Sequence, residues 1–287
     1  MPLSYEEATI TLWDDDRYRQ LMLDSYLDIN PVEAALRYKQ SEEFAEIRRI
    51  LSQKETNRLV LDLGAGNGVL SFALAECGYQ VWALEPGDGA VTGRKAMERI
   101  QDSTGIRFEI IDGCGEKIPL QDECVDVVIA RQVLHHAENL QKMCAEVYRV
   151  LKPRGLFLAL REHVVFKDGD LEVFLSNHPM HRLTGQENAY PLRFYKNCIQ
   201  AVGFSKLKTY AFWDTVLNYA PLRKREVKEM FARKISQKFH FFPLAFFPLA
   251  TGARYILEIP GVSYLLSQVL NKIFKTPGTL YSFQAVK

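Results

Sequence analysis

Val60-Leu61-Asp62-Leu63-Gly64-Ala65-Gly66-Asn67-Gly68 is a short apolar run that ends in a carboxylate and passes into glycines. Such a run reads as a buried strand, and the stretch after it, Val69 to Cys77 closed by Gly78, reads as a helix. Glycines at a strand-to-helix turn let the backbone approach a ligand closely, because no Cβ intervenes. Outward from this turn the alternation repeats. Strand-like runs fall at Leu59 to Leu63, Val81 to Leu84, Phe108 to Ile111, Val125 to Ala130 and Leu156 to Leu160. Helical patterns lie between them at Ala90 to Ile100 and at Leu140 to Leu151, the latter stopped by Pro153 and Gly155. Strands separated by helices need right-handed crossovers, so the expected fold class is α/β, a Rossmann-like doubly wound sheet.

The flanks differ. Residues 1–57 read as a helical segment, with Pro31 at a first helical position after the cap Asn30. Past the fifth strand, Tyr190 to Val202 reads as a helix, Phe204 to Phe212 as a sixth strand and Thr279 to Val286 as a seventh. The division expected is therefore 1–57, a core of 58–212 plus 278–287, and an insertion or lid at 213–277. That insertion of about 65 residues far exceeds an ordinary loop.

Composition excludes several classes. A net charge of +1 provides no field to draw the chain to nucleic acid. Five scattered cysteines, with no CxxC pair, argue against a disulfide framework or structural zinc and for a reducing cytoplasmic setting. No apolar run approaches the roughly 20 residues of a membrane span, and Met1 to Tyr18 has no signal-peptide character.

Two features narrow the ligand. Val69 occupies the place of the third glycine in the dinucleotide pattern GxGxxG, and Asp62 stands two residues before the first glycine. A carboxylate there repels a pyrophosphate but welcomes S-adenosylmethionine, which has no phosphate and carries an ammonium and a sulfonium. Glu85, ending Ala83-Leu84-Glu85-Pro86, suits both ribose hydroxyls, and Asp112 suits an adenine amino group.

These residues resemble the class I S-adenosylmethionine-dependent methyltransferases over about 58–163. The resemblance rests on Asp62 to Gly68, Glu85, Ile111-Asp112-Gly113 to Leu120, Val127 to His136, and Arg149-Val150-Leu151-Lys152-Pro153-Arg154-Gly155. It implies the strand order 3-2-1-4-5-7-6 with the seventh strand antiparallel. It also implies that Gly64 and Gly66 line the methionine moiety, with Ala65, Gly68 and Pro86 in the same turns. Glu85 would bind ribose, and Asp112 with Gly113 would lie beside adenine. Arg131 and Gln132 fall at the end of the fourth strand, and Arg37 or Tyr38 of the upstream helix is a candidate for the cofactor carboxylate. Arg154 stands where the family more often has glycine.

Methyl transfer is an in-line displacement from a good leaving group, so the protein mainly aligns the acceptor and, for a hydroxyl, removes its proton. Acceptor groups belong at the carboxyl ends of strands four and five. His163 is the expected general base and His136 the second candidate. Glu162, His178, His181, Glu187, Asn188 and Tyr190 are candidates for an acceptor pocket, and His178 with His181 lacks the further ligands that a metal needs. The acceptor expected is a small molecule, glycan or lipid-linked group, methylated at oxygen or nitrogen. Basic residues from Arg223 to Lys238 lead into the aromatic run Phe239 to Phe247, either a lid or, through 223–250, a peripheral contact with an anionic membrane. Two other readings stand beside this one: an NAD-dependent oxidoreductase, and a non-catalytic S-adenosylmethionine-binding partner protein.

Overall fold

The computed structural model describes residues 2–52, 58–219, 225–227, 229–230, 260–273 and 275–287. Four helices precede the sheet: α1 (Tyr5–Asp14), α2 (Asp16–Asp24), α3 (Pro31–Tyr38) and α4 (Glu42–Ser52). Helix α1 begins at a capping box, in which the Ser4 hydroxyl accepts from the Glu7 amide and the Glu7 carboxylate accepts from the Ser4 amide. Helix α3 carries Pro31 just inside an Asn30 cap, as its sequence requires.

The alternating region forms β1 (Leu59–Leu63), α5 (Val69–Glu76), β2 (Gln80–Leu84), α6 (Arg94–Thr104), β3 (Glu109–Ile111), β4 (Val125–Arg131), α7 (Leu140–Val150) and β5 (Leu151–Val165). After it come α8 (Asp170–Asn177), α9 (Pro179–Thr184), β6 (Tyr190–Pro191), α10 (Leu192–Ala201), β7 (Ser205–Tyr210), α11 (Pro260–Ile273) and β8 (Thr279–Val286). The sheet runs β3-β2-β1-β4-β5-β8-β7, with β8 antiparallel to both neighbours. Setting aside the two-residue β6, which pairs with the end of β5, this is the expected path.

Among the boundaries that differ from expectation, three bear on the site. Tyr190 belongs to β6 and not to a helix, because its backbone extends the sheet beside Val164. Helix α6 starts at Arg94 rather than near Ala90, because 87–93 folds into a tight loop closed by an Asp88–Gly93 bridge. A Cβ at Gly93 would lie 2.3 Å from the Gly89 nitrogen, so the loop needs glycine there. Strand β5 continues past Leu160 to Val165, carrying Glu162 and His163 within it, opposite Tyr281 and Leu280 of β8.

The sheet has two buried faces. Leu61, Leu63, Val128 and Ala130 pack with Met143 and Val147 of α7 and Ile199 of α10. Val60, Val127 and Ile129 pack on the other face with Phe72 of α5, Ala35 of α3 and Phe44 and Ile47 of α4. Adjacent residues of one strand thus enter opposite cores, which is the period of a strand buried on both sides. Helix α1 makes a smaller cluster, Ala8 and Leu12 with Met22 and Met180, that ties it to α9 across the carboxyl ends of the strands. Helix α11 docks through Leu270 against Trp213, and Asp214 accepts from Asn271 at 2.7 Å. Most of the basic and aromatic run expected at 223–250 lies outside the described residues. Among the described residues, no helix is long and apolar enough to cross a membrane.

Candidate active site

A cleft of about 1460 Å³ opens at the carboxyl ends of β1, β2 and β4, roofed by α1. Pockets for a single small ligand usually measure roughly 300–1,000 Å³, so this space is larger than one such ligand needs.

At one end stands the glycine turn. Gly64, Gly66 and Gly68 all have positive φ, at 66°, 56° and 81°. Their surroundings assign them different work. A Cβ at Gly68 would lie 2.4 Å from Met97 Cγ and one at Gly64 would lie 2.7 Å from Val133 Cγ2, so both serve close packing. A Cβ at Gly66 would meet nothing within 4 Å; it would project into open space. Gly66 therefore leaves room for a ligand to approach the backbone.

Asp62 is 2% exposed, and its Oδ2 accepts from the Ser71 hydroxyl at 2.6 Å. Burial pushes its carboxyl up to about 6, with Glu85 adding a smaller push. Glu85 accepts from the Gly66 amide through Oε2 and from the Gly87 amide through Oε1, both at 2.8 Å, and burial raises its pKa as well. These bonds test the cofactor. The Gly66 amide, which would otherwise face a pyrophosphate, is already given to Glu85, and two carboxylates line that end of the cleft. The residues fit a cationic, hydroxyl-bearing ligand and disfavour a dinucleotide.

Ala65, Pro86, Arg131 and Gln132 also line the cleft. Arg131 is held by Glu43 of α4, with Nε 2.6 Å from Oε1, and Arg161 reaches the other oxygen at 2.9 Å. Several other candidates lie away from the cleft. Asp112 is 72% exposed and paired with Arg94, and a Cβ at Gly113 would press on Pro119; Cys114 to Lys117 form the wall instead. Arg37 pairs with Asp28 and Tyr38 donates to Glu43, which leaves neither to face a ligand.

The other end gathers histidines. Four of the six in the chain, His135, His136, His163 and His178, line the cleft together with Glu187. His135 Nδ1 lies 2.7 Å from Glu162 Oε2, and Glu162 also accepts from the amides of Val133, Leu134 and His135. Glu162 has no exposure and does not line the cleft, so it positions His135 and the loop after β4. Glu187 Oε2 lies 3.6 Å from His135 Nε2 and 3.9 Å from His136 Nε2. Burial opposes charge on His135, but Glu162 and Glu187 outweigh it and hold the ring near pKa 9. Burial instead drives His163 down to about 3, and its Nδ1 contacts the Gly278 carbonyl at 3.0 Å. A group so averse to charge is a poor proton acceptor, which argues against the role expected for His163. Asn188, Tyr190 and His181 do not line the cleft: Tyr190 donates to the Ala137 carbonyl and Asn188 accepts from Ala189.

Two residues of α1 entered without notice from the sequence. Tyr5 lies edge-on to His136 with ring centroids 6.4 Å apart, and burial raises its phenol well above the ordinary value, leaving it a donor. Glu6 accepts from the Ala90 amide at 3.2 Å, closing α1 onto the loop after β2. The Ser4-x-x-Glu7 pattern was the available signal for a helix starting here.

Residues 61–159 match the family described as a methyltransferase domain. The uncharacterized methyltransferase YcgJ of Bacillus subtilis is 30% identical over 119 residues, 42% of this chain and 46% of that protein. The ubiquinone/menaquinone biosynthesis C-methyltransferase UbiE of Acidiphilium cryptum is 35% identical over 106 residues, 36% of this chain and 42% of that protein. The match thus spans less than half the length of these two relatives. Among solved structures, a Haemonchus contortus phosphoethanolamine N-methyltransferase 2 in complex with S-adenosyl-L-methionine superposes with a TM-score of 0.57 at 19% identity. That superposition covers 99% of this chain and 60% of that one, a likeness of fold. Over these residues the chain carries a methyltransferase domain, similar to those of S-adenosylmethionine-dependent methyltransferases.

Proposed function

We propose that the protein transfers a methyl group from S-adenosylmethionine to the oxygen or nitrogen of a small-molecule, glycan or lipid-linked acceptor. The observation that carries this reading is the two-ended cleft, acidic around Gly66 and rich in imidazole some distance away. When bound, S-adenosylmethionine supplies an electrophilic methyl on a sulfonium. Asp62 and Glu85 answer its ammonium and its ribose hydroxyls, and Gly66 lets the backbone come close. Arg131, fixed by Glu43, is the candidate for its carboxylate. At the opposite end His136 is the proposed proton acceptor. Burial lowers its pKa, which favours the neutral ring, and the nearby Glu187 carboxylate stabilises the imidazolium that forms. Tyr5 donates a hydrogen bond to the acceptor from the roof. The three-part division, with 213–277 as an insertion or lid, remains part of this proposal, as does membrane docking through 223–250.

Calorimetry with the intact chain tests the cofactor. Binding of S-adenosylmethionine and its demethylated product, without binding of nicotinamide dinucleotide, is the expected result, and the reverse pattern overturns the reading. Incubating metabolite extracts with isotopically labelled S-adenosylmethionine then identifies the acceptor as the compound that gains label. Binding with no labelled product from any extract would favour the non-catalytic partner.

A further inference from the structure

The histidine end of the cleft contains more than methyl transfer by itself requires. His135 follows β4, His163 lies within β5, and Glu187 sits on the connection between α9 and β6. One ligand-capable atom from each lies within 4.8 Å of the other two. We infer that His135, His163 and Glu187 form a binding site for a single first-row divalent cation of the Zn²⁺ or Fe²⁺ class.

The orientation of the rings is the first argument. The Gly278 carbonyl can only accept, so the His163 nitrogen facing it, Nδ1, carries the hydrogen and Nε2 is left with a lone pair. The Glu162 carboxylate receives three backbone amides and the His135 Nδ1–H, so His135 likewise turns Nε2 toward Glu187. A carboxylate or carbonyl behind each imidazole is the arrangement that orients metal-bound histidines and fixes their tautomer.

Spacing is the second. At 3.6 Å, His135 Nε2 and Glu187 Oε2 are a long ion pair with the ring protonated, so an ion would enter between them with release of that proton. Two ligands at about 2.0–2.1 Å from one tetrahedral ion stand roughly 3.4 Å apart, close to that gap. With every separation within 4.8 Å, the set closes on an ion by a contraction of at most about 1.4 Å.

Donor chemistry is the third. Two imidazoles and one carboxylate suit Zn²⁺, Fe²⁺ or Co²⁺, whereas Mg²⁺ and Ca²⁺ prefer oxygen throughout. All three residues line the cleft, so the unfilled coordination positions face whatever lies there. The site stands without any assumption about methyl transfer. Its use in polarising an acceptor hydroxyl rests on the function proposed above.

The test uses the intact chain, free of any affinity tag, loaded with Zn²⁺ or Co²⁺, passed through gel filtration and assayed for metal by mass spectrometry. One equivalent per chain is expected in the wild type. His163→Ala and Glu187→Gln should weaken binding at least tenfold in titration calorimetry, while Cys77→Ser, which removes an exposed thiol, should leave it unchanged. No stoichiometric uptake by the wild type overturns the proposal, and so does equal uptake by folded His163→Ala and Glu187→Gln. Should either variant fail to fold, the visible spectrum of the Co²⁺-loaded wild type decides. Nitrogen and oxygen ligation supports the site, and a thiolate charge-transfer band overturns it. Metal uptake without S-adenosylmethionine binding would sink the proposed function and leave the metal site standing.

Discussion

Arg131 Nε lies 2.6 Å from Glu43 Oε1, joining the end of β4 to a helix 88 residues earlier; Glu43 is buried and Arg131 nearly so. Arg161 shares the same carboxylate, and Tyr38 donates to it. Burial alone would raise the Glu43 pKa, but the two guanidiniums override it and hold the carboxyl below its ordinary range. Glu43 therefore stays ionised and carries the N-terminal helices onto the sheet.

Removing that charge leaves two buried guanidiniums facing an uncharged partner. Glu43→Gln is expected to cost about 3–5 kcal/mol, the usual cost of breaking a buried ion pair on one side. Urea unfolding checks it: the midpoint should fall with the slope unchanged. A loss under about 1 kcal/mol would mean that the network contributes little to the fold.

Much of this architecture was legible in the sequence. The glycine turn, the alternating runs and the last strand are local patterns, so periodicity revealed them; the antiparallel direction of that strand came from the family resemblance, and Asp62 and Glu85 followed from their places at strand ends. Contacts that depend on tertiary closure were not legible. Arg37 and Tyr38 have the composition of ligand contacts, yet Asp28 in the loop before α3 and Glu43 of α4 claim them. Asp112 ends its strand as expected, but β3 is at the sheet edge and the acid turns to Arg94 and solvent. The convergence of His135, His163 and Glu187 has no spacing signature, because each arrives from a different element.

The pH dependence of cofactor affinity follows from Asp62. In the folded protein its carboxyl titrates near 6, above the ordinary 3.8, because burial disfavours the charge. A raised carboxyl pKa means that its ionisation costs stability: the contribution is full below 3.8 and is lost as pH rises through 6. A bound cation reverses the preference. Affinity for S-adenosylmethionine should therefore rise about tenfold per pH unit below 6 and level off above 7. Asp62→Asn should weaken binding and flatten the profile; a profile unchanged in that variant would remove Asp62 from the site.

Gly66 and Gly68 should respond oppositely to the same substitution. Gly66→Ala introduces a methyl into open cleft, so stability falls only by about 1 kcal/mol for the left-handed backbone, while cofactor affinity drops at least tenfold. Gly68→Ala drives its methyl against Met97, adding about 1–3 kcal/mol of overpacking to the same strain. Melting temperature and calorimetric affinity, measured on both variants, separate the two. Equal affinity losses would contradict the division of labour in the turn.

His136 offers the last distinction, between binding and chemistry. It is 33% exposed, unlike the closed-off His135, and its Nε2 faces Glu187 at 3.9 Å. If it takes the acceptor proton, His136→Ala should lower kcat by about 10²–10⁴ and leave S-adenosylmethionine affinity within twofold. His163→Ala should act differently, because burial suppresses its basicity: its loss should appear chiefly in acceptor KM or in metal content. A His163→Ala enzyme with intact acceptor KM and abolished kcat would restore the base to β5, and would imply that acceptor binding supplies a partner able to lift its pKa from about 3.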